Sequence, residues 1–73
     1  MRGAPQWEYR VVQWVGNVWG TNGDWDSATF KDFSTEQVLN QLGAEGWELI
    51  SLGPVHNEVG KAAVAYIFKR LRA

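Results

Sequence analysis

The sequence predicts a single α+β domain in which a three-stranded sheet, four-stranded if one loop forms a hairpin, carries one helix on one face in the order β-α-β-β. Segments 6–15, 47–53 and 61–70 have the apolar and β-branched patterns of strands. Segment 33–47 has the start and stop signals of a helix. The 73 residues leave room for only one hydrophobic core, so residues 1–73 form one domain.

The first predicted strand, at 6–15, is rich in aromatic and β-branched residues. Its alternation places Trp7, Tyr9 and Val11 on one face and Val12 and Trp14 on the other. We expect Trp7 to lie in the core.

Segment 16–33 is predicted to be an insertion loop rich in Gly, Asn, Asp and Trp. Asn22-Gly23 is a signal for a type I′ turn, so a short hairpin flanked by Trp19 and Trp25 is one alternative. A binding loop and a mobile segment are the others. Because helix and strand signals are complete outside this segment, we expect it to be dispensable for folding.

The helix begins with a capping box, in which Ser34 is the N-cap and Gln37 follows three residues later. Phe33 and Val38 occupy the positions of a hydrophobic staple. Val38 and Leu42 belong to one apolar stripe, which predicts that the helix packs on a sheet through that stripe.

The helix ends at two glycines. Gly46 stands where a left-handed residue closes a Schellman motif, and Trp47 is then expected to contact Leu42. Gly43 lies inside the helix, where glycine costs about 1 kcal/mol relative to alanine. We therefore expect Gly43 to allow close approach of a neighbouring backbone.

The last two predicted strands are joined by a turn at 54–60, after Gly53-Pro54 ends the second strand. Strand 61–70 is apolar on both faces, which favours a central place in the sheet. If it lies there, the strands at 6–15 and 47–53 run parallel on either side of it, as in a split βαβ arrangement.

Three segments, WEYRVV, LNQLGAEGWELISL and YIFKR, resemble the short bacterial proteins grouped as domain of unknown function 4177. The resemblance covers about half of the chain, and GAEGWEL is its most specific part. It implies an α+β domain with one helix. Because the family has no established activity, the resemblance implies no catalytic or ligand-binding residues.

Composition argues against several classes of protein. A net charge of −1 gives no general attraction to nucleic acid or anionic membranes. The chain has no cysteine and one histidine, so we expect no disulfide, metal or cofactor. No apolar stretch is long enough to span a membrane, and residues 1–10 do not resemble a signal peptide, so we expect a cytoplasmic protein.

Polar clusters give weak signals for chemistry. His56, with Ser51 and Glu58 as its local partners, is better explained as a surface turn residue than as a general base.

A calcium loop is not favoured either. Asn22, Asp24 and Asp26 alternate as at the start of such a loop. Ser27 and Phe33, however, stand where that loop needs glycine and glutamate.

The tryptophans are the stronger signal. Trp14, Trp19 and Trp25, beside Asp24 and Asp26, could stack on a sugar or a nucleotide base. The favoured alternative is that they cover a sheet face or an interface, where tryptophan is enriched.

Three classes of function follow in order of preference. The first is a non-enzymatic, self-associating assembly or adaptor module, most simply a homodimer formed by the sheet face away from the helix, with an unidentified protein as the alternative partner. A ligand-binding module comes second and an enzyme third. Val12, Trp14, Ile50 and Leu52 are candidates for the uncovered face, because the register that decides it cannot be read from the sequence. The rival to a dimer is that the long loop folds back over this face through Trp19 and Trp25.

Overall fold

The computed structural model describes residues 4–17, 23–55 and 61–72. Within these residues the fold is α+β, with a four-strand antiparallel sheet and one α-helix, which confirms the predicted α+β class and its single helix. The strands and the helix follow the order β-β-α-β-β and not the predicted β-α-β-β. The elements are β1 (Trp7–Asn17), β2 (Gly23–Trp25), a short 3-10 helix (Ala28–Phe30), α1 (Thr35–Ala44), β3 (Glu48–Pro54) and β4 (Lys61–Leu71).

The sheet has the order β2-β1-β4-β3, and each pair of neighbours is antiparallel. β4 therefore lies between β1 and β3, which run parallel to each other across it. A central strand is covered on both edges, and the apolar residues on both faces of β4 suit that position. β3 is an edge strand, and a β-bulge between Leu49 and Ser51 interrupts its register.

The segment predicted as an insertion loop instead contributes a strand to the sheet. β2 pairs with β1 so that Gly23 is opposite Gly16 and Trp25 is opposite Trp14. A hairpin is thus present, but Gly23 is a strand residue and cannot be a central residue of a two-residue turn. Asn22, the other half of the predicted turn, lies outside the described residues.

The start of α1 confirms the predicted capping box. The Gln37 backbone N–H donates to Ser34 Oγ at 3.1 Å, and the Ser34 N–H donates to Gln37 Oε1 at 2.7 Å. Two of the N–H groups that a helix start leaves without helical partners are therefore satisfied locally.

The end of α1 confirms the predicted Schellman motif. Trp47 N–H donates to the Leu42 carbonyl, Gly46 N–H donates to the Gly43 carbonyl, both at 3.0 Å, and Gly46 has a φ of 91°. The role expected for Gly43 was wrong, because a Cβ placed there would meet nothing within 4 Å. Gly43 is exposed and approaches no neighbouring backbone.

The core lies between α1, the 3-10 helix and one face of the sheet, here called the helix side. It is built by the buried side chains of Val12, Trp25, Phe30, Val38, Leu42 and Phe68. Half-buried neighbours complete it: Trp14, Phe33, Leu39, Trp47, Leu49 and Tyr66. Even-numbered residues of β1 and β4 face this side, so the odd-numbered residues face away from the helix.

Candidate functional site

Trp25, a residue of the proposed ligand site, lies in the core. β2 places it opposite Trp14 on the helix side, and its side chain is 6% exposed. The indole Nε1–H donates to the Phe33 carbonyl at 2.9 Å, and the ring lies 5.3 Å from that of Tyr66. Its polar atom is engaged and almost none of its surface reaches solvent, so little of the ring is available for a sugar or base to stack on.

Asp24 and Asp26 hold the backbone around β2. Asp24 Oδ1 accepts from Trp25 N–H at 2.8 Å and from the N–H of Asp32, which has a φ of 64°, at 3.1 Å. Asp26 donates its own N–H to the Gln13 carbonyl at 2.8 Å and accepts from Gln13 N–H through Oδ1 at 3.1 Å. The Asp24 contacts fix the turn after β2. The Asp26 contacts continue the hydrogen bonding between β2 and β1 by one more residue, to Gln13. Both carboxylates therefore have structural partners.

Trp14 is half-buried on the helix side, where its indole lies against Gly23. A Cβ on Gly23 would be 2.1 Å from Trp14 Cζ2, which explains why glycine occupies this strand position. Trp19, the third tryptophan of the proposed ligand site, lies outside the described residues, and so does His56.

A cluster of His, Asp and Glu side chains would indicate a bound metal ion, and a long apolar helix would indicate a lipid bilayer as a partner. Residues 4–17, 23–55 and 61–72 contain no group of three or more His, Asp or Glu side chains that could hold a metal ion. Across the same ranges, no helix has the length and apolar character needed to cross a bilayer.

Arg70 connects the three segments that carry the family resemblance. Its Nε forms an ion pair with Glu8, its Nη1 donates to the Glu45 carbonyl at 2.7 Å, and its guanidinium lies 4.3 Å from the Trp47 ring centroid. The cation thus caps the carbonyl end of α1, where the helix dipole is negative. These motif residues join β1, the end of α1 and β4, and this gives them a structural role.

The sheet face away from the helix carries large apolar side chains in solvent. We call it the open face; it consists of the odd-numbered residues of β1 from 7 to 15 and of β4 from 63 to 71: Trp7, Tyr9, Val11, Gln13, Val15, Ala63, Ala65, Ile67, Lys69 and Leu71. Trp7, Tyr9, Val11, Val15 and Leu71 are each between 39% and 63% exposed. Monomeric proteins rarely expose a contiguous apolar patch of this kind, so it is the candidate interaction surface.

Four residues lie on the opposite face from the one expected. Trp7, expected in the core, is on the open face, where Lys69 Nζ lies 4.2 Å from its ring centroid. Val12 and Trp14, candidates for the uncovered face, belong to the core on the helix side. Leu52, another candidate, is exposed but also lies on the helix side, opposite Tyr66. The two faces of a strand differ by one residue in register, and both faces of β1 are apolar, so alternation alone could not choose between them.

Comparison with known proteins gives a family without an activity. No curated protein and no solved structure matches the chain. The family model described as "Domain of unknown function (DUF4177)" matches residues 7–70, and the chain therefore belongs to this family.

Proposed function

We propose that this protein is a non-enzymatic assembly module that self-associates through the open face, with a homodimer as the simplest product. The observation that carries the proposal is the exposure of Trp7, Tyr9 and Leu71 together on a sheet face that α1 does not cover. Association would remove these side chains from water, which is the main driving force for most protein contacts.

The accessible area of the chain supports this proposal. The chain exposes 5529 Å², whereas a compact monomer of its mass of 8.3 kDa exposes roughly 4,600 Å². The chain therefore exposes roughly 900 Å² more than a compact monomer, and the apolar side chains of the open face contribute to its exposed area. The radius of gyration, 14.5 Å against about 11 Å for a compact domain of this length, indicates an elongated form.

A second copy of the chain is the favoured occupant of the open face because a two-fold contact uses the same patch on both protomers and closes on itself. The small size of the domain adds to the argument, since a chain of this length buries a modest fraction of its surface on folding. The ligand-binding alternative has less support, because Trp25, Asp24 and Asp26 are already engaged within the fold.

Sedimentation equilibrium at micromolar concentration tests the proposal, with Val11→Ser and Leu52→Ser as matched variants. Val11 is 52% exposed on the open face. Leu52 is 55% exposed and lies opposite Tyr66, whose ring contacts the core on the helix side. We expect the wild-type chain to be a dimer. Val11→Ser should have a larger dimer dissociation constant than the wild type, and Leu52→Ser should have the same one. A wild-type monomer, or equal effects of the two substitutions, would overturn the proposal.

A further inference from the structure

The open face changes in bulk from one end to the other. Cross-strand partners on β1 and β4 form rows, beginning with Trp7 beside Leu71 and then Tyr9 beside Lys69. The middle row is Val11 beside Ile67, and it is followed by Gln13 beside Ala65 and Val15 beside Ala63. Asn17 and Lys61 are paired beyond these five rows, at the ends of the two strands. The side chains therefore decrease in size along the sheet, from the large end at Trp7 to the small end at Val15.

This gradient matters because two sheets that pack face to face stay about 10 Å apart along their length. Side chains that face each other must together fill that constant gap at the density of a protein interior. If a two-fold axis ran along the strands, each row would face itself. The Trp7 ends would then be crowded and the Val15 ends would leave a void.

A two-fold axis across the strands reverses the rows. The large end of each protomer then lies over the small end of its partner, and the middle row, Val11 and Ile67, lies over itself. Each facing pair of rows has a similar combined volume, so the gap can be filled along the whole face.

The reversed arrangement also accommodates the charged row. Lys69 is already placed over the Trp7 ring, so its charge has an aromatic partner within its own sheet. Glu48 of β3 is its cross-strand neighbour. In the reversed arrangement Lys69 and Glu48 lie over the row of Gln13 and Ala65. That row is small and uncharged, and its amide can pair with either charge.

We infer that the dimer is a face-to-face sandwich with reversed rows, in which Trp7 of one protomer packs over Val15 of the other. This inference rests on the proposed self-association. It assigns the partner as a second copy in one orientation, and it makes position 7 of one chain the neighbour of position 15 of its partner.

A double-mutant cycle on the dimer dissociation constant tests this orientation. Val15→Trp would place two tryptophans over each other and should weaken the dimer at least about tenfold, the scale of an aromatic anchor in an interface. Trp7→Val should weaken it by a similar factor through a cavity. The variant with both changes exchanges large for small and should regain most of the affinity.

Positions 7 and 15 are about 27 Å apart along one strand, a distance at which substitutions within one chain act independently. Coupling between them can therefore arise only across the interface. All three variants are first checked for wild-type circular dichroism, which we expect because both side chains are substantially exposed in the monomer. A wild-type dimer whose two substitutions are additive would overturn the reversed orientation alone, whereas a wild-type monomer would overturn the self-association as well.

Discussion

Gly43 and Gly46 lie three positions apart, yet they differ in what an added methyl group would do. At Gly46 the positive φ of 91° forces a Cβ into the left-handed region, so Gly46→Ala should destabilise the fold by about 1 kcal/mol or more. At Gly43 the added Cβ meets open space inside a helix, so Gly43→Ala should stabilise by up to about 1 kcal/mol. Urea unfolding of the two variants checks the pair, and a change of the same sign in both would contradict it.

Gly23 is constrained by a side chain and not by its own backbone. Its added Cβ would overlap the Trp14 indole, so Gly23→Ala must displace that ring, at a cost of about 1–3 kcal/mol. Gly53 is the matched control, because it is also a strand glycine but a Cβ added there would meet no atom within 4 Å. We expect Gly53→Ala to be near neutral in thermal unfolding. Equal losses at the two glycines would show that overlap with the indole does not decide the effect.

The difference between these glycines shows what a sequence can reveal at the scale of a residue. The role of Gly46 followed from its neighbours, since the capping signals before it and Trp47 after it define a local motif. The roles of Gly43 and Gly23 depend on what lies across space. Gly23 is required by a tryptophan nine positions earlier in the chain, and this contact exists only once β1 and β2 have paired.

At the scale of the element, Arg70 ties α1 to the sheet. Arg70→Lys keeps the positive charge but loses the planar group that both stacks on Trp47 and donates to the Glu45 carbonyl. We expect a loss of about 1 kcal/mol, mostly from that stacking and hydrogen bond. The ion pair with Glu8 should add little, because both side chains are more than one-third exposed and water screens the pair.

Arg72→Lys is the control for this prediction, since Arg72 is exposed near the end of the chain. Its stability in urea should stay within about 0.5 kcal/mol of the wild type. Glu8→Gln removes the negative charge of the ion pair but keeps the shape of the side chain. It should lower the stability less than Arg70→Lys does. If Arg70→Lys unfolds with the same midpoint as Arg72→Lys, the connection between α1 and β4 is unimportant for stability.

The elements that the sequence predicted are those with local signals. α1 has a capping box and a Schellman motif, and β1, β3 and β4 are long enough to show alternation. β2 and the 3-10 helix have three residues each, too few for any periodicity. Both are held by tertiary contacts, such as Asp24 with the turn at Asp32 and the burial of Phe30, so the segment around them looked like a loop.

At the scale of the whole molecule, an uncovered apolar face could be predicted, but its residues could not. One helix of ten residues can cover one face of the sheet, and the strands are apolar on both. The choice between the faces depends on which set α1 contacts, and that is a matter of register. Trp14 was a candidate for the uncovered face, but it packs on the helix side, so Trp14→Ser would disturb the core. Val11 is the residue that probes the open face.

The tryptophans at positions 7 and 25 give the last prediction, because substitution by alanine should unfold the domain at one position and leave it folded at the other. Trp25→Ala removes a side chain that is 6% exposed and leaves a cavity in the core, at a cost of about 3–5 kcal/mol. A domain of this size has a total stability near the lower end of about 5–15 kcal/mol, so the variant should be largely unfolded.

Replacing residues 17–26 by a Gly-Ser linker removes the same side chain and should also abolish cooperative unfolding. Trp7→Ala, on the open face, should keep it at concentrations where the chain is a monomer. Thermal melts followed by circular dichroism compare the three proteins, and a cooperative melt of the linker variant near that of Trp7→Ala would show that the segment around β2 is dispensable after all.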